Sequence, residues 1–273
     1  MKKAIIAPVG RLGFRIVHCS WSPTDEEATE LTLRALPYGG NWAGFIGAEC
    51  LKKLNLTDTE VALSLTLVSR QEDDFTRQGT LHARVVVMPS SDYVELVKTG
   101  PLGIRHVFRK EFRGLEGFLP PDLPQVLEHL SDRGPTTAEG QDFKPRELAR
   151  IAFDLRRYQR AVITHAYEDS SRWLAVEHVI LDVLQALPTH EMAQVSFATF
   201  ALSMREPSDI VAIPLQMITG SSPPYLSPVG THDVPRSPAD MTRRFAADIV
   251  FIIGRLVGNV RFWLSCRLTR MRW

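Results

Sequence analysis

Cysteine is scarce in this chain and follows no pattern. There are three in 273 residues, Cys19, Cys50 and Cys266, far apart and without a C-x-x-C pair. That excludes a disulfide framework and a cysteine-rich zinc site, both of which need closely and regularly spaced thiols. Neither sign of charge dominates: 32 Lys and Arg face 31 Asp and Glu, for a formal net charge of +1. The chain is therefore not basic throughout, as many nucleic-acid binders are. The opening Met1-Lys2-Lys3-Ala4-Ile5-Ile6-Ala7-Pro8 is basic, but its apolar run is too short for a secretory leader. A reducing, cytoplasmic setting is expected.

Signatures of nucleotide, metal and hydrolase chemistry are missing too. No G-x-x-x-x-G-K-[ST] phosphate loop occurs, and Gly10-Arg11-Leu12-Gly13 lacks the third glycine of a dinucleotide fingerprint. His190-Glu191 has no second histidine to complete a zinc motif, and no Gly-x-Ser-x-Gly elbow exists. The chain is not expected to be a GTPase or ATPase itself, and neither a cofactor nor a metal site is anticipated.

What is present is the balance of a globular protein, 44% hydrophobic and 23% charged. Residues 3–7 and 14–19 are short apolar runs at hairpin spacing. Thr24 with Glu27 forms a capping-box signature, predicting a helix that buries Ala28, Leu31 and Ala35 and stops near Pro37. Cys50 reads as a small buried hydrophobe on a helix with Leu51 and Leu54. Val61, Leu63, Leu65 and Leu67 alternate as in a half-buried strand, and 81–88, with Val85-Val86-Val87, reads as an inner strand ended by Pro89. Residues 100–146 are punctuated by Gly and Pro and read as an insertion, with one short helix at 122–130. Beyond it come a helix at 145–158, a strand at 161–166, an amphipathic helix at 170–187, and strands at 195–200 and 209–215. These elements predict an α+β domain over 1–215, a mixed β-sheet with flanking helices. A Pro/Ser-rich connector, 216–240, would join it to a C-terminal helix, 241–273.

Two places concentrate groups capable of chemistry. Arg77 and Gly79 lie in a polar turn that feeds a strand opening with His82. Arginine offers a planar fork of donors, so Arg77 and His82 could hold a carboxylate or phosphate at the strand's mouth. The alternative is a turn glycine, an arginine tying down its loop and a histidine bonded to a backbone carbonyl. His165, followed by Glu168 and Asp169, is a second acid–base candidate, as is the pair Glu177-His178 on the next helix. Against these stands a surface histidine beside an acid. His18 and Cys19, neighbours on a strand, point to opposite faces and make no local pair.

The tail combines an apolar stripe with positive charge. Ile249, Ile252, Ile253, Leu256, Val260 and Leu264 fall at helical spacing, and seven arginines, Arg255 and Arg261 among them, face the single Asp248. A charge at mid-bilayer costs roughly 3 kcal/mol, so Arg255 and Arg261 argue against a membrane span. A basic amphipathic helix remains, suited to a partner groove, an anionic membrane surface or an RNA backbone, or to its own core. The stripe is expected to be buried against protein, with Ile249, Ile253, Leu256 and Val260 as contacts and Arg255 and Arg261 beside them.

Three segments together resemble the N-terminal domain of the bacterial GTPase-associated protein 1 family. They are Leu12-Gly13-Phe14-Arg15-Ile16-Val17-His18-Cys19-Ser20, then Arg77-Gln78-Gly79 leading to His82, and Leu187-Pro188 followed by Val195-Ser196-Phe197-Ala198-Thr199. The match departs at Gln78, where that family commonly has proline. The resemblance implies an accessory component of a bacterial conflict or defence-type system, acting beside a separately encoded GTPase, and it implies no catalytic residue. The functional expectation is thus a non-enzymatic binding or scaffold component. The alternatives are an enzyme of unrecognised type around Arg77 and His82, and a nucleic-acid-binding component using the arginine-rich helix.

Overall fold

A computed structural model describes residues 1–38, 42–69, 79–118, 145–165, 171–203, 205–214, 217 and 226–228. Among the described residues nine strands are formed: β1 (Lys2–Pro8), β2 (Phe14–Cys19), β3 (Glu49–Asn55), β4 (Glu60–Ser69), β5 (Thr80–Pro89), β6 (Ala161–His165), β7 (Phe197–Ala198), β8 (Ile210–Pro214) and β9 (Leu226–Pro228). They make one mixed sheet in the order β2-β1-β5-β4-β3-β7-β8-β6-β9. Pairing is antiparallel from β2 through β7, and parallel among β7, β8, β6 and β9. Six α-helices among the described residues accompany it: α1 (Asp25–Ala35), α2 (Ser90–Lys98), α3 (Gly100–Glu111), α4 (Pro145–Tyr158), α5 (Ser171–Gln185) and α6 (Thr189–Gln194). The architecture is α+β, a mixed sheet with flanking helices.

Several elements lie where local chemistry puts them. The capping box forms: Thr24 Oγ1 accepts from the Glu27 backbone N–H at 3.2 Å, and Glu27 Oε2 accepts from the Thr24 N–H at 2.8 Å. β1 and β2 pair antiparallel around the short turn Gly10–Leu12. At the edge of the sheet Arg15 turns its guanidinium back onto the Phe14 carbonyl, 2.9 Å away, which occupies a group that a further strand would use.

The two faces of the sheet have different covers. Alternate residues of the inner strands, among them Ile5, Leu51, Leu63, Leu65, Val86 and Met88, pack under α2, α3, α4, α5 and α6. The intervening residues, among them Ala4, Ile6, Cys50, Ala62, Val85 and Val87, pack under α1 and under Trp42 and Phe45. Each large aliphatic side chain so buried contributes about 1.5–3 kcal/mol.

This double cover corrects three expectations. β4 is not half-buried: Val61 through Ser69 are all buried, because helices close one face and α1 with the 42–48 segment closes the other. Cys50 is buried as expected, but on β3 rather than on a helix. Residues 100–111, expected within a turn-rich insertion, begin it with α3, whose Ile104 and Phe108 are fully buried. Pro101 is tolerated because it sits in the first turn, where its missing N–H has no helical partner to lose. The short helix expected at 122–130, most of the 216–240 connector and the C-terminal helix at 241–273 lie outside the described residues.

Candidate functional site

Register places the candidate site. Glu49 on β3 lies opposite Leu67 on β4, and Leu67 lies opposite His82 on β5. Directly paired residues share a face, so Glu49, Leu67 and His82 form one row pointing into the helical layer. Two strand spacings, about 10 Å, separate the outer members. Arg84 is on the same face, two residues further along β5. All three polar side chains are buried.

The helices supply the groups that answer them. Arg105, on α3, reaches down between β3 and α5. Its Nη1 donates to Glu49 Oε2 at 2.6 Å, while Nη2 and Nε donate to the two oxygens of Glu177 at 2.6 and 3.2 Å. One guanidinium therefore joins a sheet strand to two helices, through a fork that only arginine offers. Burial pushes the Glu177 carboxyl above its ordinary value, and Arg105 opposes the shift. Glu49 Oε1 is buried without a hydrogen-bond partner among the described residues.

His82 is not at an open strand mouth. It lies beneath the helical layer, with Nε2 3.4 Å from the Thr80 hydroxyl. Arg84 stacks beside Phe112, 5.9 Å from its ring centre. Arg77, expected to act with His82, lies outside the described residues. Gly79 has a distinct role. Its φ is +79°, and a Cβ there would stand 2.5 Å from the Trp42 carbonyl carbon and 2.7 Å from the Ala43 nitrogen. The glycine is required by the close approach of two backbones.

The second candidate does not join the first. His165 ends β6, opposite Pro214, and Glu168 lies outside the described residues. β5 and β6 are five strand spacings apart in the sheet, on the order of 24 Å. Glu177 and His178 do not act as a pair either, since Glu177 turns inward to Arg105.

Sequence reasoning passed over β3, where the most unusual electrostatics lie. Lys52 and Glu206, on the face away from Arg105, form a 2.7 Å ion pair with both side chains buried. Lys52 also donates to the Leu36 carbonyl at 3.0 Å. Glu206 accepts from the Tyr38 N–H at 2.6 Å and from the Ser208 hydroxyl at 3.0 Å. Lys53, on the opposite face, donates to Asn55 Oδ1 and to the Ala193 carbonyl, and stands 5.2 Å from the Tyr93 ring centre. Burial holds its ammonium down to about 7, with Asp209 opposing. The Cys50 thiol, two residues before Lys52 on the same face of β3, is pushed up to about 12, chiefly by burial. No sequence signal marked Lys52 or Lys53, because paired lysines ordinarily mean a solvated surface.

Chemically, these groups are struts. Each cation is held by acceptors drawn from a different element, so the ion pairs tie strands, helices and the 36–38 and 206–208 segments together. Among the described residues, no group of three or more His, Cys, Asp or Glu is placed to hold a metal ion. Among the same residues, no helix is long and apolar enough to cross a membrane. No protein-family model matches this chain, and no curated protein matches it.

Proposed function

We propose that this chain is a non-enzymatic binding component of a multi-protein assembly. The observation that supports the reading is the commitment of its buried polar groups. Arg105 is engaged by Glu49 and Glu177, Lys52 by Glu206, and Lys53 by two neutral acceptors. Groups held in this way are poorly placed to attack or protonate a substrate, and well placed to keep a rigid surface in shape. The three motif segments point to the kind of assembly: bacterial, GTPase-associated, of the conflict or defence type, and cytoplasmic.

In this reading the partner is another protein, with a separately encoded GTPase as the first choice. The basic amphipathic stretch at 241–273 offers a second contact through Ile249, Ile253, Leu256 and Val260, flanked by Arg255 and Arg261. Co-expression with the products of neighbouring genes, followed by affinity purification and size-exclusion chromatography, tests it. A stable co-complex is expected, and it should weaken when Ile253 and Leu256 are both changed to Asp. Failure to form any co-complex removes the reading. Salt-sensitive binding of RNA in its place would favour the nucleic-acid alternative.

A further inference from the structure

α6 is a helix of six residues with few anchors of its own. Its N-terminus, at Pro188, has no side-chain cap, and Met192 is its one buried residue. A helix this short does not hold by its own hydrogen bonds. β3 supplies what is missing. Lys53 Nζ donates to the Ala193 carbonyl at 2.6 Å and to Asn55 Oδ1. Asn55 Nδ2 in turn donates to the Gln194 carbonyl. Two carbonyls of the last turn of α6, which have no partner within the helix, are thus held by two side chains of one strand. Glu191 also meets Arg156 of α4 at 3.5 Å, a partly exposed pair that contributes little.

The Lys53 side chain is fully buried, and both its hydrogen-bond acceptors among the described residues are neutral. A neutral amine has two N–H donors, which these two acceptors satisfy, whereas an ammonium has three. The Tyr93 ring, 5.2 Å from Nζ, offers the charged form a partial substitute. Charged groups on the neighbouring elements are exposed or engaged elsewhere. Asp92, Glu95 and Lys98 of α2 and His190 of α6 are exposed. Glu191 is taken by Arg156, while Glu177 of α5 and Glu49 of β3 are taken by Arg105. Leu63 of β4 and Phe197 of β7, which flank Lys53 in the sheet, carry no charge. Asp209 favours the ammonium, but its Oδ2 already accepts from the Ser196 N–H and hydroxyl, each at 2.8 Å.

We propose that Lys53 and Asn55 form a proton-sensitive latch: uptake of a proton by Lys53 releases α6 from β3 while the sheet stays folded. With α6 in place, burial disfavours the charged form, so the amine is neutral above about 7. Once α6 lifts, water reaches the amine and its ordinary value of 10.5 returns. Between those two values the open form binds more protons than the closed one. Opening therefore becomes about tenfold easier for each pH unit of acidification down to about 7, and levels off below it. Opening uncovers Met192 and the side of α2 that packs on α6.

Hydrogen exchange of the full-length chain, read by mass spectrometry at pH 6, 7, 8 and 9 and corrected for the pH dependence of free amides, tests the latch. Protection of 189–196 should be lowest and level at pH 6 and 7, then rise about tenfold per unit to pH 9. Amides of β4 and β5 should stay better protected by about tenfold or more at every pH. Low urea should weaken their protection more than that of α6, because α6 opens without exposing the sheet. Lys53→Met keeps the apolar stem and removes the titrating group, so it should make the α6 protection independent of pH. If that variant does not fold, the nitrogen NMR shift of Lys53 Nζ is titrated in the native chain, with a midpoint expected at about 7. A flat α6 profile in the native chain, an unchanged profile in Lys53→Met, or α6 protection that changes only in step with β4 and β5 overturns the proposal. So does a Lys53 midpoint at its ordinary value.

Discussion

Lys52 and Lys53, adjacent on β3, are sealed into opposite faces of the same sheet. Alternation along a strand makes this unavoidable once both faces are covered. The two ammonium groups meet different surroundings. Lys52 faces the carboxylate of Glu206, while Lys53 is held mainly by neutral oxygens and an aromatic ring.

Lys53 should make stability depend on alkaline pH. Its ordinary value is 10.5 and its folded value is about 7. Between these two pH values the unfolded chain binds more protons than the folded one, so stability should rise as pH increases through that window. The slope expected for one group is at most about 1.4 kcal/mol per pH unit. Lys53→Met should remove it, as read by urea denaturation at pH 7, 8 and 9; an unchanged slope would contradict the assignment.

The Lys52–Glu206 pair should show the asymmetry of buried ion pairs. Glu206→Leu alone leaves an uncompensated charge and should destabilise by about 3–5 kcal/mol. Combining it with Lys52→Met should recover most of that loss, because both charges are then gone. A double-mutant cycle from denaturation curves measures the coupling.

Arg105→Lys should not behave as a conservative change. Lysine cannot reproduce the fork that reaches both Glu49 and Glu177, and it leaves carboxylate oxygens buried without donors. A loss of about 2–4 kcal/mol is expected. Hydrogen exchange should report it first in α3 and α5, the two helices that the guanidinium joins. A loss spread evenly over the sheet would argue against that role.

Two glycines with similar backbone angles should respond differently to alanine. Gly47 has φ +83° and open space where a Cβ would go, so Gly47→Ala should show only conformational strain, about 1–2 kcal/mol. Gly79→Ala adds a collision with the backbone of residues 42–43 and should destabilise clearly more, shown by a larger drop in melting temperature.

Elements that depend on near neighbours were legible in the sequence. The capping box of α1 needs only Thr24 and Glu27, three residues apart, and the β1–β2 hairpin needs two apolar runs and a short turn. The valine run of β5 marks an inner strand wherever it is placed. α4 and α5 could be read from their apolar spacing, since 3.6-residue periodicity survives in any fold that buries one side of a helix.

The tertiary structure decided what those elements enclose. Nothing local distinguishes Lys52 and Lys53 from solvated lysines, or Glu49 from a surface acid. Their burial follows from covers supplied by residues such as Glu206 and Arg105, more than fifty positions away in the chain. The same holds for His82, whose place beneath the helices is set by α3, an element the Gly and Pro around residues 100–103 concealed. Backbone preference acts over a few residues and is written in sequence order. Desolvation and charge pairing act through space, so only the packed sheet and its helical layer determine which charged groups lose water and which partners compensate them.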